Sequence, residues 1–143
     1  RLAEMESHFE NMKVDIVADG AWLPFEENSL DYIVSSHVME HFRDPIGVLK
    51  SWMKIIRPGG YIFAIIPHKD RTFDKDRPCT TWKELVERHN NPDLKIVDTH
   101  EHYSVWRTED FLEVCKNMGL NVIAYQDTDD KVGNGFAICI RKS

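Results

Sequence analysis

The stretch that decides the fold runs from Val14 to Pro67. It reads V-D-I-V-A-D-G-A-W-L-P-F (14–25), then L-D-Y-I-V-S-S-H-V-M-E-H (30–41), then D-P-I-G-V-L-K-S-W-M-K-I-I-R-P-G-G (44–60), then Y-I-F-A-I-I-P (61–67). Val14–Ala18 and Leu30–Ser36 are short, β-branched, nearly continuous apolar runs, so each predicts a strand buried on both faces. Asp44-Pro45 predicts a helix start, with Asp44 capping free amides and Pro45 at the first helical position. Ile46, Leu49, Met53 and Ile56 then recur at helical spacing, with Trp52 beside them. Pro58-Gly59-Gly60 is expected to stop that helix before a third buried strand over Tyr61–Ile66. Strand, strand, helix, strand predicts a parallel sheet covered by helices.

In their order and spacing, D-G-A-W-L-P-F, S-S-H-V-M-E-H and the helix closing in I-I-R-P-G-G before a strand resemble the second half of a class I S-adenosylmethionine-dependent methyltransferase of the small-molecule type. The resemblance covers about Lys13 to Lys142 and is weakest between Asp70 and Thr99. It implies an α/β fold with a Rossmann-like methyltransferase sheet that ends in an antiparallel β-hairpin. The family's glycine-rich first strand and loop should precede Val14, and no glycine precedes Gly20. The chain therefore reads as one partial domain over residues 1–143, truncated at its N-terminus with the first two strands missing. A sheet without its usual middle strand leaves backbone groups unpaired. The expected repairs are a shift of Val14–Ala18 to pair with Leu30–Ser35, or a homodimer that completes the sheet.

The flanking segments carry simpler signals. Leu2, Met5, Phe9 and Met12 fall at helical spacing and predict a helix over Leu2–Asn11. The run H-K-D-R-T-F-D-K-D-R-P (68–78) alternates charge without periodicity and predicts a solvated loop. Thr81-Trp82-Lys83-Glu84 has capping-box spacing and predicts a helix over Trp82–His89. A short strand is possible at Leu94–Val97. Thr108 is the expected cap of a helix whose apolar side is Phe111, Leu112, Cys115 and Met118, ended by Gly119. Asn121–Gln126 and Phe136–Arg141 predict the closing hairpin.

Composition narrows the partners. With 24 acidic against 18 basic residues the net charge is −6, which opposes a nucleic-acid backbone. No apolar run approaches membrane-spanning length, so no membrane partner is expected. Cys79, Cys115 and Cys139 are scattered and odd in number, which suits a reducing compartment, and a cytoplasmic location is expected.

Ligands of open parallel sheets bind at the carboxyl ends of the strands. That rule selects Asp19-Gly20, Ser35-Ser36-His37 and His68-Lys69-Asp70, expected together on one rim. From the residues alone, Asp19 is either a strand-end turn residue paired with Gly20 or an acceptor for an amino group. The resemblance implies the second role: Asp19 takes the adenine amino group of S-adenosylmethionine, Gly20 supplies the next backbone amide, and Trp22 and Leu23 pack on the purine. It also puts Ser35, Ser36 and His37 at the methionine end of the cofactor. The serine hydroxyls there can equally cap the next helix. His37 and His41 share a face if Val38–Phe42 is helical. His41 is the candidate general base toward a small-molecule acceptor, with His37 beside it, because imidazole titrates near neutrality. The plain alternative for His41 is a bond to a backbone carbonyl.

H-V-M-E-H is not the H-E-x-x-H of zinc hydrolases. His68, His100 and His102 could gather a metal, but loops collect polar residues, and no metal site is expected. Overall the sequence predicts methyl transfer from S-adenosylmethionine to a small-molecule or sugar-like acceptor, with weak cofactor binding by this stretch alone. The alternative is a catalytically inactive methyltransferase-like binding or scaffold module.

Overall fold

A computed structural model describes residues 13–96 and 101–143. Within them lie four strands, β1 (Leu30–Ser36), β2 (Ile56–Pro67), β3 (Asn121–Gln126) and β4 (Gly135–Arg141). Three α-helices are α1 (Pro45–Ile55), α2 (Trp82–Asn90) and α3 (Thr108–Asn117). The sheet order is β1-β2-β4-β3, with β1 parallel to β2 and both β4 pairings antiparallel. The fold is therefore mixed α/β, and the closing hairpin falls where the sequence predicts it, with β4 starting one residue earlier at Gly135.

α1 forms for the reasons legible in its first residues. Asp44 Oδ1 accepts the Gly47 amide at 3.0 Å, and Pro45 takes the first helical position without wasting an N–H. Ile46, Val48, Leu49, Trp52 and Ile55 are buried. Ile46, Val48, Leu49 and Trp52 pack on the inner sheet face with Ile62, Ala64, Ile66, Phe136, Ile138 and Ile140. Full burial of a side chain such as Leu49 contributes about 1.5–3 kcal/mol.

Several expectations need correction. Val14–Ala18 is not a strand, and it does not shift over to β1. Val14, Ile16 and Val17 are 69%, 52% and 94% exposed. A β-branched run becomes a strand only where a neighbour offers backbone rungs, and among the described residues β1 pairs with β2 alone. Nor are β1 and β2 buried on both faces. Their outer side chains stay in solvent, with Tyr32 and Val34 above 60% exposed and Tyr61 and Phe63 near 40%.

Pro58-Gly59-Gly60 does not end the helix. α1 stops at Ile55, and Arg57–Gly60 form an irregularity inside β2, where β1 advances from Leu30 to Tyr32 while β2 advances from Ile56 to Tyr61. Gly59 takes a φ of +82° there.

The charged run after Pro67 is not uniformly solvated. It folds into two 3₁₀ turns, Lys69–Arg71 and Phe73–Asp76, with Asp74 only 2% exposed. Leu94–Ile96 form no strand, and Val97 lies outside the described residues. Arg107 rather than Thr108 occupies the cap position of α3. The helix expected over Leu2–Asn11 also lies outside the described residues.

Candidate functional site

Parallel pairing brings the carboxyl ends of β1 and β2 to one edge of the sheet. Ser36 pairs with Ile65, and the His37 amide extends the ladder to the Ile65 carbonyl at 2.9 Å. His37 then turns the chain with a φ of +54°, a left-handed conformation that few non-glycine residues adopt. The turn leads into a single 3₁₀ turn, Met39–His41. His37 and His41 therefore do not share a helical face, because His37 precedes the turn in a different conformation. Ser35 points into the protein, where its hydroxyl lacks a hydrogen-bond partner among the described residues, while Ser36 is exposed.

His68 follows β2 on the same edge. Its amide donates to the Asn134 carbonyl at 2.9 Å and its Nδ1 accepts from the Asp70 amide at 3.1 Å. Burial pushes its pKa down, and the nearby Arg71 guanidinium adds to that effect.

The Asp19–Leu23 turn is fastened from α1. Trp52 Nε1 donates to the Gly20 carbonyl at 2.8 Å. Gly20 also backs onto the Phe42 ring so closely that a Cβ would stand 2.9 Å from Cζ. Asp19 Oδ1 accepts the Ala21 amide at 2.9 Å, which fixes the carboxylate in an Asx turn and leaves its second oxygen unused. Leu23 turns inward against the core, whereas Trp22 is 80% exposed.

A cavity of about 650 Å³ lies beside this turn, lined by Asp19, Trp22, His41, Phe42, Arg43 and Tyr103 among others. So Asp19, Trp22 and His41 come together. Gly20 reaches the cavity wall through Phe42. Leu23 and Ser35 lie inside the protein, and Ser36, His37 and His68 occupy the strand ends without lining the cavity.

Sequence reasoning missed the polar group behind the cavity. Glu40 is 1% exposed, and neither carboxylate oxygen has a hydrogen bond among the described residues. Burial raises its pKa. His41 Nε2 stands 3.4 Å from Glu40 Oε1, and its Nδ1 is 2.7 Å from the Glu101 carbonyl. His102 is buried beside it, ring centroids 4.9 Å apart, with Nδ1 2.6 Å from Asp74 Oδ2. Arg77 secures this corner by donating to Asp74 Oδ1 at 2.7 Å and to the His102 carbonyl at 2.8 Å. The Tyr103 amide in turn donates to the Glu40 carbonyl at 2.8 Å. His41 and His102 stood out in the sequence as histidines, but the only signal for Glu40 was its place directly after the apolar Val38-Met39.

The family model for a methyltransferase domain matches residues 3–125. The chain belongs to the methyltransferase-domain family. Its fold is similar to that of a SAM-dependent methyltransferase from Thermotoga maritima, described as a possible histamine N-methyltransferase. Identity is 16% and the TM-score 0.62, with 98% of this chain and 70% of that one covered. A methyltransferase from Haloferax volcanii, solved in complex with the activator Trm112, gives 14% identity and a TM-score of 0.60 over 92% of this chain and 64% of that one. A SAM-dependent methyltransferase from Aquifex aeolicus gives 16% identity and 0.58 over 99% and 61%. This methyltransferase domain thus spans 61–70% of the length of these three proteins. No curated protein sequence matches it. The likeness extends the family assignment to a Rossmann-like sheet, in which β1 and β2 are the parallel strands described above. Among the described residues no helix is long and apolar enough to cross a membrane.

Proposed function

We propose that this methyltransferase domain serves S-adenosylmethionine-dependent methyl transfer to a small-molecule acceptor, with the adenine end of the cofactor held by Asp19–Leu23. One observation carries the reading: Asp19, Trp22 and His41 line a single cavity although the sequence separates them by a strand and a turn. The donor set fits an adenine. Asp19 keeps one carboxylate oxygen for an exocyclic amino group, and the Trp22 indole offers an exposed aromatic face for a purine. A cavity of about 650 Å³ suits a small ligand.

When bound, the cofactor supplies an activated methyl group for in-line displacement. The chain's residues position and deprotonate. Ser36 and His37 stand at the end of β1, where this reading puts the methionine part. The backbone carbonyl of Glu101 fixes the Nδ1–H tautomer of His41, so in this reading Nε2 carries the lone pair that takes the acceptor's proton. His37 has a positioning role in this reading, since its conformation sets the course of the chain from β1 to Glu40.

Affinity should be low for these residues alone, because the family's glycine-rich loop is not among them. Titration of ¹⁵N-labelled protein with S-adenosylmethionine tests this. Weak saturable binding is expected, with shifts concentrated at Asp19–Leu23 and Ser36–His41 and lost in Asp19→Ala. Shifts elsewhere, or unchanged binding by Asp19→Ala, would overturn the assignment.

A second reading, a catalytically inactive module that binds another copy of itself, draws on the exposed outer face of β1 and β2. Sedimentation of a stable dimer that shows no cofactor-induced shifts would favour it over methyl transfer.

A further inference from the structure

The methyl-transfer reading leaves Glu40 unexplained. Its carboxylate is buried, and neither oxygen has a hydrogen bond among the described residues. Native interiors rarely leave such a group without a partner. Donor atoms stand around it. One ligand atom each from Glu40, His41 and His102 lies within 4.8 Å of the other two. Both imidazoles are held from behind. His41 has Nδ1 on the Glu101 carbonyl at 2.7 Å, and His102 has Nδ1 on the Asp74 carboxylate at 2.6 Å. An acceptor at each Nδ1 keeps the proton there and leaves Nε2 as the free lone pair. Metal-bound histidines show the same arrangement, with a carbonyl or carboxylate orienting the ring from its other nitrogen.

We propose that Glu40, His41 and His102 hold one divalent transition-metal ion of the zinc class. Two neutral imidazoles and one carboxylate suit zinc, and they do not suit magnesium or calcium, which take oxygen ligands. At metal–ligand lengths of about 2.0–2.1 Å, neighbouring ligands of a tetrahedral ion stand roughly 3.3–3.4 Å apart. Glu40 Oε1 and His41 Nε2 are already separated by 3.4 Å. The 4.8 Å outer limit leaves the remaining ligand to close by about 1.5 Å at most, within the reach of a side-chain rotation. The His41 side chain is 44% exposed and lines the cavity, which provides the way in. Three protein ligands leave a fourth position for water or an acceptor oxygen.

The sequence reading expected no metal and grouped His102 with His68 and His100. His68 instead packs its ring against Phe136 and stands 3.9 Å from Asp127, outside this cluster. The proposal stands apart from cofactor binding. It does bear on His41, because a metal at Nε2 occupies the lone pair that would otherwise take the acceptor's proton.

The test uses chelator-treated protein without an affinity tag. It is titrated with Zn²⁺ by calorimetry and with Co²⁺ by visible absorption. One equivalent of Zn²⁺ at micromolar affinity or tighter is expected, with intense d–d bands for Co²⁺. Glu40→Gln and His41→Gln should each weaken binding at least about tenfold. Cys79→Ser should leave it unchanged, which separates the cluster from adventitious thiol binding. His41 is partly exposed, so its variant reports even if Glu40→Gln disturbs the fold. Absence of stoichiometric binding, or wild-type affinity in His41→Gln, would overturn the proposal. Because neither readout uses S-adenosylmethionine, a failed cofactor titration leaves the metal result standing.

Discussion

Asp74 Oδ2 lies 2.6 Å from Nδ1 of His102, and both side chains are buried. The other oxygen of Asp74 takes the Arg77 guanidinium, so one carboxylate secures a ring and a cation together. Removing it leaves two polar groups short of a partner. Asp74→Ala should lower stability by about 2–3 kcal/mol in urea unfolding. Arg77→Ala should cost less, because Arg77 is partly exposed and the imidazole keeps its acceptor.

Asp129 gives the protein a specific acid response. Its carboxylate accepts the amides of Val132 at 2.9 Å and Lys131 at 3.1 Å on one oxygen, and of Gly135 at 2.8 Å on the other. These donors, led by Val132 and then Gly135, hold its pKa down at about 2, below the ordinary 3.8. A depressed pKa means that the stabilisation is complete above the ordinary value and is lost as pH falls through about 2. Thermal unfolding of wild type and Asp129→Asn should therefore differ most near neutrality and converge as pH approaches about 2. A difference independent of pH would count against this account.

Two glycines should respond differently to a methyl group. At Gly60 a Cβ would stand 2.5 Å from the Asp31 carbonyl oxygen, a backbone atom of the neighbouring strand that cannot move aside. Gly60→Ala is expected to cost about 1–3 kcal/mol and to loosen the β1–β2 pairing in hydrogen exchange. Gly119 has a φ of +69° and open space around it. Gly119→Ala should cost only about 1 kcal/mol, from backbone strain.

Thr81 and Glu84 form a reciprocal capping box at the start of α2, with the Glu84 amide 3.2 Å from Thr81 Oγ1 and the Thr81 amide 3.1 Å from Glu84 Oε2. Thr81→Ala should remove about 1 kcal/mol from chemical unfolding and leave the β4 amides as protected as before.

What the sequence disclosed depends on how local each signal was. The Thr81–Glu84 box, the Asp44-Pro45 start and the apolar run within Asn121–Gln126 act within a few residues, and each appears in the fold as read. Val14–Ala18 has the composition of a strand, but a strand needs a neighbour, and composition says nothing about that. Pro58-Gly59-Gly60 reads as a stop, yet the same residues serve a bulge when a parallel partner lies alongside. In the candidate site, Asp19, Trp22 and His41 line one cavity. Glu40, Asp74 and His102 were not legible, because α1, β2 and α2 intervene between the first and the last of them and no spacing rule spans that distance. The charge alternation around Asp74 pointed to solvent, while its actual partners, Arg77 and His102, drew it inside.

β4 occupies the position between β2 and β3, although its residues come after all the other strands. The parallel ladder of β1 and β2 can close early, across a single helix. β3 has no place to dock until residues 135–141 have left the ribosome and inserted beside β2. Completion of the sheet thus waits for β4, and a nascent chain stalled before Gly135 would present the inner edge of β2 to any strand that came near it.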